Sequence, residues 1–296
     1  MNSESNSTIT LSRKDSNFMI SETNRNFIFK CFVYFILTIN AVMMLAPFVW
    51  MLSTSVKTMQ EAFRFPPTLL PDRFMWENYL DVWNAAPFGR FYINSIIVTV
   101  SVTLGQLITC SMGAYAFARL NFPGRDKLFL LYIATMMIPF QVIMIPMYFV
   151  MMHLNWIDTF WALIVPNIFS AYGTFLLRQF FKSIPMELEE SVRMDGGGYF
   201  ICFTRIILPL SKPALATLGM FVFLWSWNSF LWPLLVINRT VMNTLPLGIT
   251  FFQGQFQVHW NLLMAAGTIT MLPLIVVYIF SQKYFIEGIT LTGMKS

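Results

Sequence analysis

The densest group of charged side chains lies in the segment 178–212, where nine of 35 residues are acidic or basic. Within it, residues 187–196 are predicted to form a short helix, because acidic residues occupy its first turns and a glycine follows its end. Arg193 follows Glu190 by three residues and Glu189 by four, a spacing that puts these side chains on one face. A second segment, Tyr199 to Ile207, follows the glycine turn, so we expect a charged helix–turn–helix, with a solvated amphipathic connection as the alternative.

The sequence contains no recognisable motif for catalysis or metal binding. There is no HExxH motif, no cluster of cysteine and histidine, and no pair of acidic residues inside an apolar stretch. Gly288 and Gly293 have the spacing of a phosphate-binding loop, but Met294 interrupts the Gly-Lys pair that such a loop needs. We therefore predict no catalytic residue, no metal site, and no nucleotide or other cofactor bound by this chain.

The composition predicts that these charges belong to a membrane protein. Of the 296 residues, 56% are hydrophobic and 11% are charged, whereas soluble domains carry about 25% charged residues. So few charges cannot form a soluble surface when 31 Phe and 21 Met must also be shielded from water. This excludes a soluble enzyme, a disordered chain and a secreted disulfide scaffold, and it indicates an integral protein of the lipid bilayer.

Six stretches without a charged residue are candidates for crossing the bilayer. One helical crossing needs about 20 apolar residues, and apolar residues here do not alternate with polar ones as they do in barrel strands. We therefore predict an all-α integral membrane protein with six transmembrane helices. The uncharged stretches are 31–56, 91–118, 128–157, 159–177, 213–238 and 240–282.

Basic residues indicate which side of the membrane each connection faces. With the amino terminus inside, the inner segments hold 14 Lys and Arg residues and the outer segments hold five. Because basic residues are enriched in cytoplasmic loops, both termini are expected in the cytoplasm. This bias also explains the net charge of +5, so we predict no nucleic-acid partner.

The chain divides into three parts by composition. Residues 1–26 are rich in Ser, Asn and Thr and are expected to form a disordered cytoplasmic tail. Residues 27–90 contain the first transmembrane helix and a proline-containing outer loop. Residues 91–296 form the transmembrane core, which includes the charged inner connection 178–212.

The six apolar stretches contain no Asp, Glu, Lys or Arg, and the two histidines within them, His153 and His259, lie near predicted outer boundaries. Ion-coupled carriers often place such residues inside the membrane, so the pattern favours a transporter that takes its energy from another subunit. Backbone carbonyls can also bind Na⁺, which leaves an ion-coupled secondary carrier as one alternative. A membrane scaffold that transports nothing is the other alternative.

The inner connection resembles a known family in the spacing of its residues. Residues 190–192 read Glu-Ser-Val, a glycine stands at position 196, and residues 206–209 read Ile-Ile-Leu-Pro. This is similar to the pattern Glu-Ala-Ala, three residues, Gly, nine residues, Ile-x-Leu-Pro in inner-membrane subunits of binding-protein-dependent ABC importers. Ser191 and Val192 replace the two alanines of that pattern.

Further matches resemble the maltose-type carbohydrate importers within that family. They are Trp227-Asn228, Trp260-Asn261, Ala265-Ala266, Pro273, and the ending 284–288 with Gly293-Met294-Lys295. The resemblance covers roughly residues 30–296 and implies a permease subunit in a bacterial cytoplasmic (inner) membrane. It also implies three kinds of partner: a second homologous permease, a cytoplasmic ABC ATPase dimer that uses the ATP, and an extracytoplasmic solute-binding protein.

The resemblance implies that the connection 178–212 is a coupling loop. In the family, its helix docks in a groove of the ATPase, and closure of the ATPase dimer on nucleotide moves the membrane helices. By this resemblance, Glu190 is the polar anchor and Gly196 is the turn that permits close approach. Arg193 and Asp195 are the other residues expected at the docking surface.

The predicted fifth helix contains candidates for contact with a sugar-like substrate. Residues 225–229 read Trp-Ser-Trp-Asn-Ser and combine aromatic rings with hydrogen-bonding groups. Helical spacing puts Trp225 and Ser229 on one face, and Asn228 is the third candidate. Such residues also pack between membrane helices, so both interpretations remain open, as does the choice among a sugar, a polyol and a glycerol phosphate.

The third outer loop is polar and contains glycine. In maltose-type importers the corresponding loop reaches into the solute-binding protein, and the resemblance implies the same contact here. The residues expected to make this contact are Gln253, Gly254, Gln255, Phe256 and Gln257.

Overall fold

The computed structural model of the protein describes the backbone of residues 5–254 and 258–293, and the side chains of 27–254 and 258–282 except Ile28. These residues form helices and turns, with no β-strand among them. The principal helices are α1 (Ser5–Ser55), α2 (Glu77–Ala85), α3 (Phe88–Arg119), α4 (Arg125–Ala134), α5 (Phe140–His153), α6 (Phe160–Ile164), α7 (Ala171–Ser183), α8 (Glu187–Met194), α9 (Lys212–Trp227), α10 (Leu231–Val236) and α11 (Trp260–Gly293). Shorter helical segments are Met59–Ala62, Thr135–Met137, Val165–Asn167, Tyr199–Ile201, Cys202–Ile207, Leu208–Leu210, Thr240–Met242, Leu245–Gly248 and Ile249–Gln253.

The helices are long and apolar enough to cross a membrane between four and six times. Four segments qualify alone, namely Phe29–Ser55, Phe88–Arg119, Phe160–Ser183 and Trp260–Gln282. Two bent pairs qualify only if each counts as one crossing: Arg125–Met137 with Phe140–His153, at 99°, and Tyr199–Leu210 with Lys212–Trp227, at 77°. A multi-span, all-helical membrane fold is therefore confirmed for the described residues, and six crossings is the upper value.

Two of the uncharged stretches differ from the straight helices that hydropathy predicts. The stretch 128–157 is broken before Pro139, which precedes α5 and cannot donate a backbone hydrogen bond. In the stretch 240–282, the long helix begins only at Trp260. The residues before it, 240–253, form short helical turns that pack on the ends of α3 and α11. Hydropathy depends only on apolar composition. Because packed turns and a spanning helix have similar apolar composition, hydropathy does not distinguish them.

The first helix includes most of the segment that the sequence assigns to a cytoplasmic tail. Its backbone is helical from Ser5, whereas residues 1–26 are predicted to be a disordered tail. Helix α1 can extend into this polar segment through local backbone hydrogen bonds alone, without a packing partner. Isolated helical turns are marginal in water, so disorder of this tail in solution stays a prediction.

Helix α3 is the central helix of the bundle and packs against both α7 and α9. The contact with α7 is close because Gly173 lacks a side chain: a Cβ there would lie 2.9 Å from Cys110 Sγ. Leu177 of α7 and Leu218 of α9 are buried in the same cluster. Small residues allow membrane helices to approach closely, so this face gives the bundle a rigid centre.

The other end of α3 holds the segment that is predicted to be the third outer loop through polar and apolar contacts. Asn94 Nδ2 donates hydrogen bonds of 2.9 Å to the carbonyl oxygens of Val241 and Asn243. Gly248 lies against Phe91, whose ring carbon would be 2.1 Å from a Cβ at that glycine. The loop therefore sits on α3 as a packed part of the fold.

Replacing Gly248 with alanine is expected to destabilise the protein by about 1–3 kcal/mol, because the new methyl group overlaps the fully buried Phe91 ring. Gly219→Ala is the matched control, since its Cβ would lie at an ordinary 3.5 Å from Leu107. Thermal unfolding of both purified variants in detergent measures the difference. Equal unfolding temperatures for the two variants would contradict this packing.

Candidate functional site

Helix α8 forms the charged helix that the sequence predicts in the inner connection. It spans Glu187–Met194, with acidic residues in its first turn and Arg193 in its last. This arrangement suits the helix dipole, which favours negative charge at the amino end and positive charge at the carboxyl end. Gly196 ends the helix with a left-handed backbone angle, φ 82°, and its N–H donates to the carbonyl of Arg193 at 3.0 Å.

The residues predicted to dock an ATPase lie together on the exposed side of this segment. Glu190, Arg193, Asp195 and Gly196 are all exposed. The Arg193 guanidinium lies 4.4 Å from the centroid of the Tyr199 ring, which holds it near the surface. A Cβ placed at Gly196 would meet nothing within 4 Å, so the chain leaves room there for a partner's backbone.

Glu189 is the buried residue of α8 and has a different partner from the one its spacing suggests. Instead of pairing with Arg193, its carboxylate is fully buried beside Arg119 of α3, with Oε1 2.9 Å from Arg119 Nε. That N–H is not directed at the oxygen, so the contact is an ion pair rather than a hydrogen bond. The Tyr115 hydroxyl donates to the other oxygen, Oε2, at 3.1 Å.

Arg119 connects this helix to a third element, the end of α7. Its Nη2 donates hydrogen bonds of 2.6 Å to the carbonyl oxygens of Phe181 and Ile184. The last carbonyls of a helix lack intrahelical partners, and the guanidinium supplies donors for them. One side chain thus joins the ends of α3 and α7 to the buried face of α8. Spacing along the chain gives no signal for this contact, because Arg119 and Glu189 are 70 positions apart.

A cavity of about 390 Å³ lies among α3, α7 and α9. Beside it, helical hydrogen bonding is interrupted between α6 and α7, where Val165–Asn167 form a 3₁₀ turn and Ser170 caps α7. Of the three predicted substrate-path residues, Trp225 lies in the cavity wall. The lining residues are Gln106, Asn167, Phe169, Ser170, Tyr172, Leu218, Phe221, Val222 and Trp225.

Asn228 and Ser229 lie outside this lining. Helix α9 ends at Trp227, so the regular helical spacing that begins at Trp225 does not extend to Ser229. Asn228 is the residue at the helix end, and its Nδ2 donates to the carbonyl of Leu224 at 2.8 Å. Gln106, Asn167 and Tyr172 also line the cavity and are not among the predicted residues, although the Pro-Asn pair at 166–167 within an apolar stretch is a signal in the sequence.

The predicted third outer loop begins at a polar clamp, which Asp158 forms with the backbone of Asn238 and Arg239. Asp158 Oδ1 accepts hydrogen bonds from the backbone N–H groups of Asn238, at 2.7 Å, and Arg239, at 2.9 Å. Burial acts to raise the pKa of Asp158, but these backbone hydrogen bonds and the nearby Arg239 charge lower it overall, below its usual 3.8. The carboxylate therefore stays charged at neutral pH.

The residues predicted to contact a binding protein are only partly described. Gln253 and Gly254 are exposed at the end of the short turns that follow the clamp. The other three predicted residues, Gln255, Phe256 and Gln257, lie outside the described residues.

The fold and the placement of α8 define a class of membrane transport subunit, and comparison with known proteins identifies it. Residues 107–290 match the family described as "Binding-protein-dependent transport system inner membrane component". The chain belongs to this family, which confirms the resemblance found in the inner connection.

Individual relatives agree with this membership. The sn-glycerol-3-phosphate transport system permease protein UgpE of Pectobacterium atrosepticum is 36% identical over 78% of this chain and 85% of its own length. UgpE of Yersinia enterocolitica is 35% identical over 87% of this chain and 95% of its own. A bacterial ABC transporter that imports the acidic polysaccharide alginate has a chain of the same fold, with TM-score 0.80 and 25% identity over 87% of this chain and 96% of that one.

Replacing Glu189 with glutamine is expected to destabilise the protein by about 3 kcal/mol, because it leaves the buried Arg119 charge without its partner. Glu190→Gln on the exposed side of α8 is the control and is expected to change stability by less than about 0.5 kcal/mol. Unfolding of both variants in detergent is the measurement. A fully stable Glu189→Gln protein would show that the ion pair does not hold α8 in place.

Proposed function

We propose that this chain is the transmembrane permease subunit of an ATP-driven ABC importer. In this role it forms the path for a sugar or related polyhydroxy solute delivered by an extracytoplasmic binding protein. The observation that carries the proposal is helix α8, whose docking residues are exposed while Arg119 binds its buried face to the ends of α3 and α7. The relatives' names, which refer to transport of sn-glycerol 3-phosphate and import of alginate, support the solute class.

The energy for transport comes from a separate cytoplasmic ATPase dimer in this proposal. Glu190 is the polar anchor in the groove of the ATPase, Arg193 and Asp195 flank it, and Gly196 permits close approach. Because Glu189 and Arg119 are buried and joined, a displacement of α8 is passed directly to the membrane helices. Packed elements of this kind move as bodies rather than deforming continuously.

The proposed location is a bacterial cytoplasmic (inner) membrane, with both termini in the cytoplasm. This orientation follows from the excess of basic residues, 14 against five, on the side that carries α8. A second homologous permease completes the path. In support, the strongly apolar segment Phe29–Ser55 buries little of its surface within this chain and so has room for lipid and a partner.

The outer loop that ends at residues 253–257 is proposed to contact the solute-binding protein. It is exposed at Gln253 and Gly254 and anchored at its start by Asp158. A solved alginate transporter with 15% identity and TM-score 0.62, which shares the fold, was determined in complex with a pentasaccharide-bound periplasmic protein.

Glu190→Lys and Gly196→Pro are each expected to abolish uptake while the protein still reaches the membrane. The first reverses the anchoring charge, and the second places a proline at φ 82°, which its ring forbids. ATP-driven uptake and ATPase co-purification, measured with the complete importer, are the readouts. Asp81→Lys, the same charge reversal at an exposed position in α2, is the control and keeps activity.

Wild-type uptake by either variant would remove these residues from the docking surface. Uptake driven by an ion gradient in vesicles without the ATPase would instead identify a secondary carrier. Absence of any solute flux from the fully assembled wild-type complex would identify a scaffold.

Deleting residues 253–257 is expected to impair delivery from the binding protein while assembly with the ATPase remains intact. The readouts are uptake and stimulation of ATP hydrolysis by loaded binding protein, beside co-purification of the subunits. Loss of assembly would instead assign this segment a purely structural role.

A further inference from the structure

A second pocket, of about 270 Å³, lies at the start of α4, at the same end of the bundle as α8. It is formed by the connection that follows Arg119 and by the first residues of α4, and it shares no lining residue with the cavity among α3, α7 and α9. Pockets for drug-sized ligands have volumes of about 300–1,000 Å³, so this one suits a small polar headgroup. Its lining residues are Asn121, Phe122, Gly124, Arg125, Asp126 and Lys127.

Arg178 of α7 provides a fixed positive charge beside this pocket. Its side chain is 8% exposed, and its Nε donates a hydrogen bond of 3.1 Å to the carbonyl oxygen of Phe117. The guanidinium lies 3.9 Å from the centroid of the Phe129 ring, and its Nη2 lies 3.5 Å from Asp126 Oδ1. Because a guanidinium stays charged in such surroundings, these contacts hold a permanent cation next to the lining.

Positive charges outnumber negative charges around the pocket. The carboxylate of Asp126 is shared between Arg125, at 3.1 Å, and Arg178, at 3.5 Å. Lys127 belongs to the lining, and Lys182 lies near enough for its charge to act on Asp126. Both lysines are exposed, and neither makes a hydrogen bond or ion pair with any residue that the structure describes. Four bases against one acid leave a net charge of +3 at the pocket.

The charged pocket continues directly into an apolar face of α4. Leu130 and Leu131 follow Lys127 by three and four residues, which places the three side chains on one side of the helix. Leu128, Leu130 and Leu131 are 51%, 66% and 68% exposed, and α4 belongs to a candidate membrane crossing. At the edge of a crossing, exposed leucines contact acyl chains, while a lysine extends towards the headgroups. Headgroup charge and acyl chains thus meet complementary surfaces side by side.

We propose that this pocket binds the phosphate of an anionic phospholipid, whose acyl chains lie along the exposed leucines of α4. Lys127 donates to the phosphate, and so does Arg125, whose guanidinium has five N–H groups and uses three of them on Asp126 and the carbonyl of Leu120. Basic pockets beside membrane helices suit anionic headgroups. Placement of the lipid in the cytoplasmic leaflet rests on the proposed orientation of the chain, whereas binding itself does not.

Photolabelling of the complete importer in phosphatidylcholine vesicles tests this site. The probes are phosphatidylglycerol and phosphatidylcholine, each with a photoreactive diazirine in one acyl chain and each added in trace amount to both leaflets. Mass spectrometry then measures the label on residues 125–134. Phosphatidylglycerol is expected to label this segment about 25-fold more than phosphatidylcholine, because each of the two lysines favours an anionic lipid about fivefold. High salt is expected to reduce this preference, since it screens exposed charges.

Two exposed lysines allow the charge to be removed without disturbing the fold. Lys127→Gln is expected to lower the preference for phosphatidylglycerol about fivefold, and Lys127→Gln combined with Lys182→Gln is expected to bring it close to parity. Lys212→Gln is the matched control, because it removes the same charge from an exposed position at the start of α9, outside the pocket. Subunit co-purification checks that each variant still assembles.

Equal labelling of the wild-type segment by the two lipids, or an unchanged preference in the Lys127→Gln protein, would overturn the lipid site. Suppression of the labelling by millimolar inorganic phosphate would overturn it in favour of a free phosphate. Labelling that occurs only after the ATPase is stripped away would overturn it in favour of a contact between subunits. The assay needs no transport, so uptake without an ATPase would contradict the proposed function and leave the lipid preference as a separate result.

Discussion

The buried contact between Arg119 and Glu189 is the interaction on which the arrangement of the functional elements depends. Both side chains are nearly or fully excluded from solvent, and an unpaired charge in that position would be strongly destabilising. Because the same guanidinium also binds the carbonyls of Phe181 and Ile184, three helix ends share one anchor. The buried face of α8 is therefore held to the ends of α3 and α7 by one ion pair and two hydrogen bonds of the same guanidinium.

The membrane explains why the ion pair of Arg119 and Glu189 lies at the end of the bundle. It also explains why packing inside the spans relies on uncharged residues. Within the spans, packing relies on small residues such as Gly173 and on amides such as Gln106, which hold broken backbone in place. Charged groups concentrate in the connections, where water, helix ends or an opposite charge can stabilise them. The bundle thus combines spans that lack Asp, Glu, Lys and Arg with charged connections, and this division agrees with the proposed permease role.

Much of the fold could be predicted from local pattern. The apolar stretches indicated a helical membrane protein, and residues 187–196 indicated a charged helix closed by glycine, which α8 and the left-handed Gly196 confirm. The family was also recognisable there, because its motif lies within one continuous segment. The bends before Pro139 and near Ser211, and the packed turns at 240–253, could not be read from hydropathy. A buried turn, a bent pair and a straight span have similar apolar composition.

The sequence by itself determined the membrane environment, the helical class, the family and the position of the charged helix α8, because each depends on composition or on neighbours along the chain. Only the tertiary structure decided that Glu189 turns inward to Arg119 rather than pairing with Arg193. It likewise decided that Trp225 joins Gln106, Asn167 and Tyr172 around a cavity while Asn228 caps a helix. These outcomes depend on which helices meet in space, and contacts between distant residues are settled by burial and packing rather than by sequence spacing.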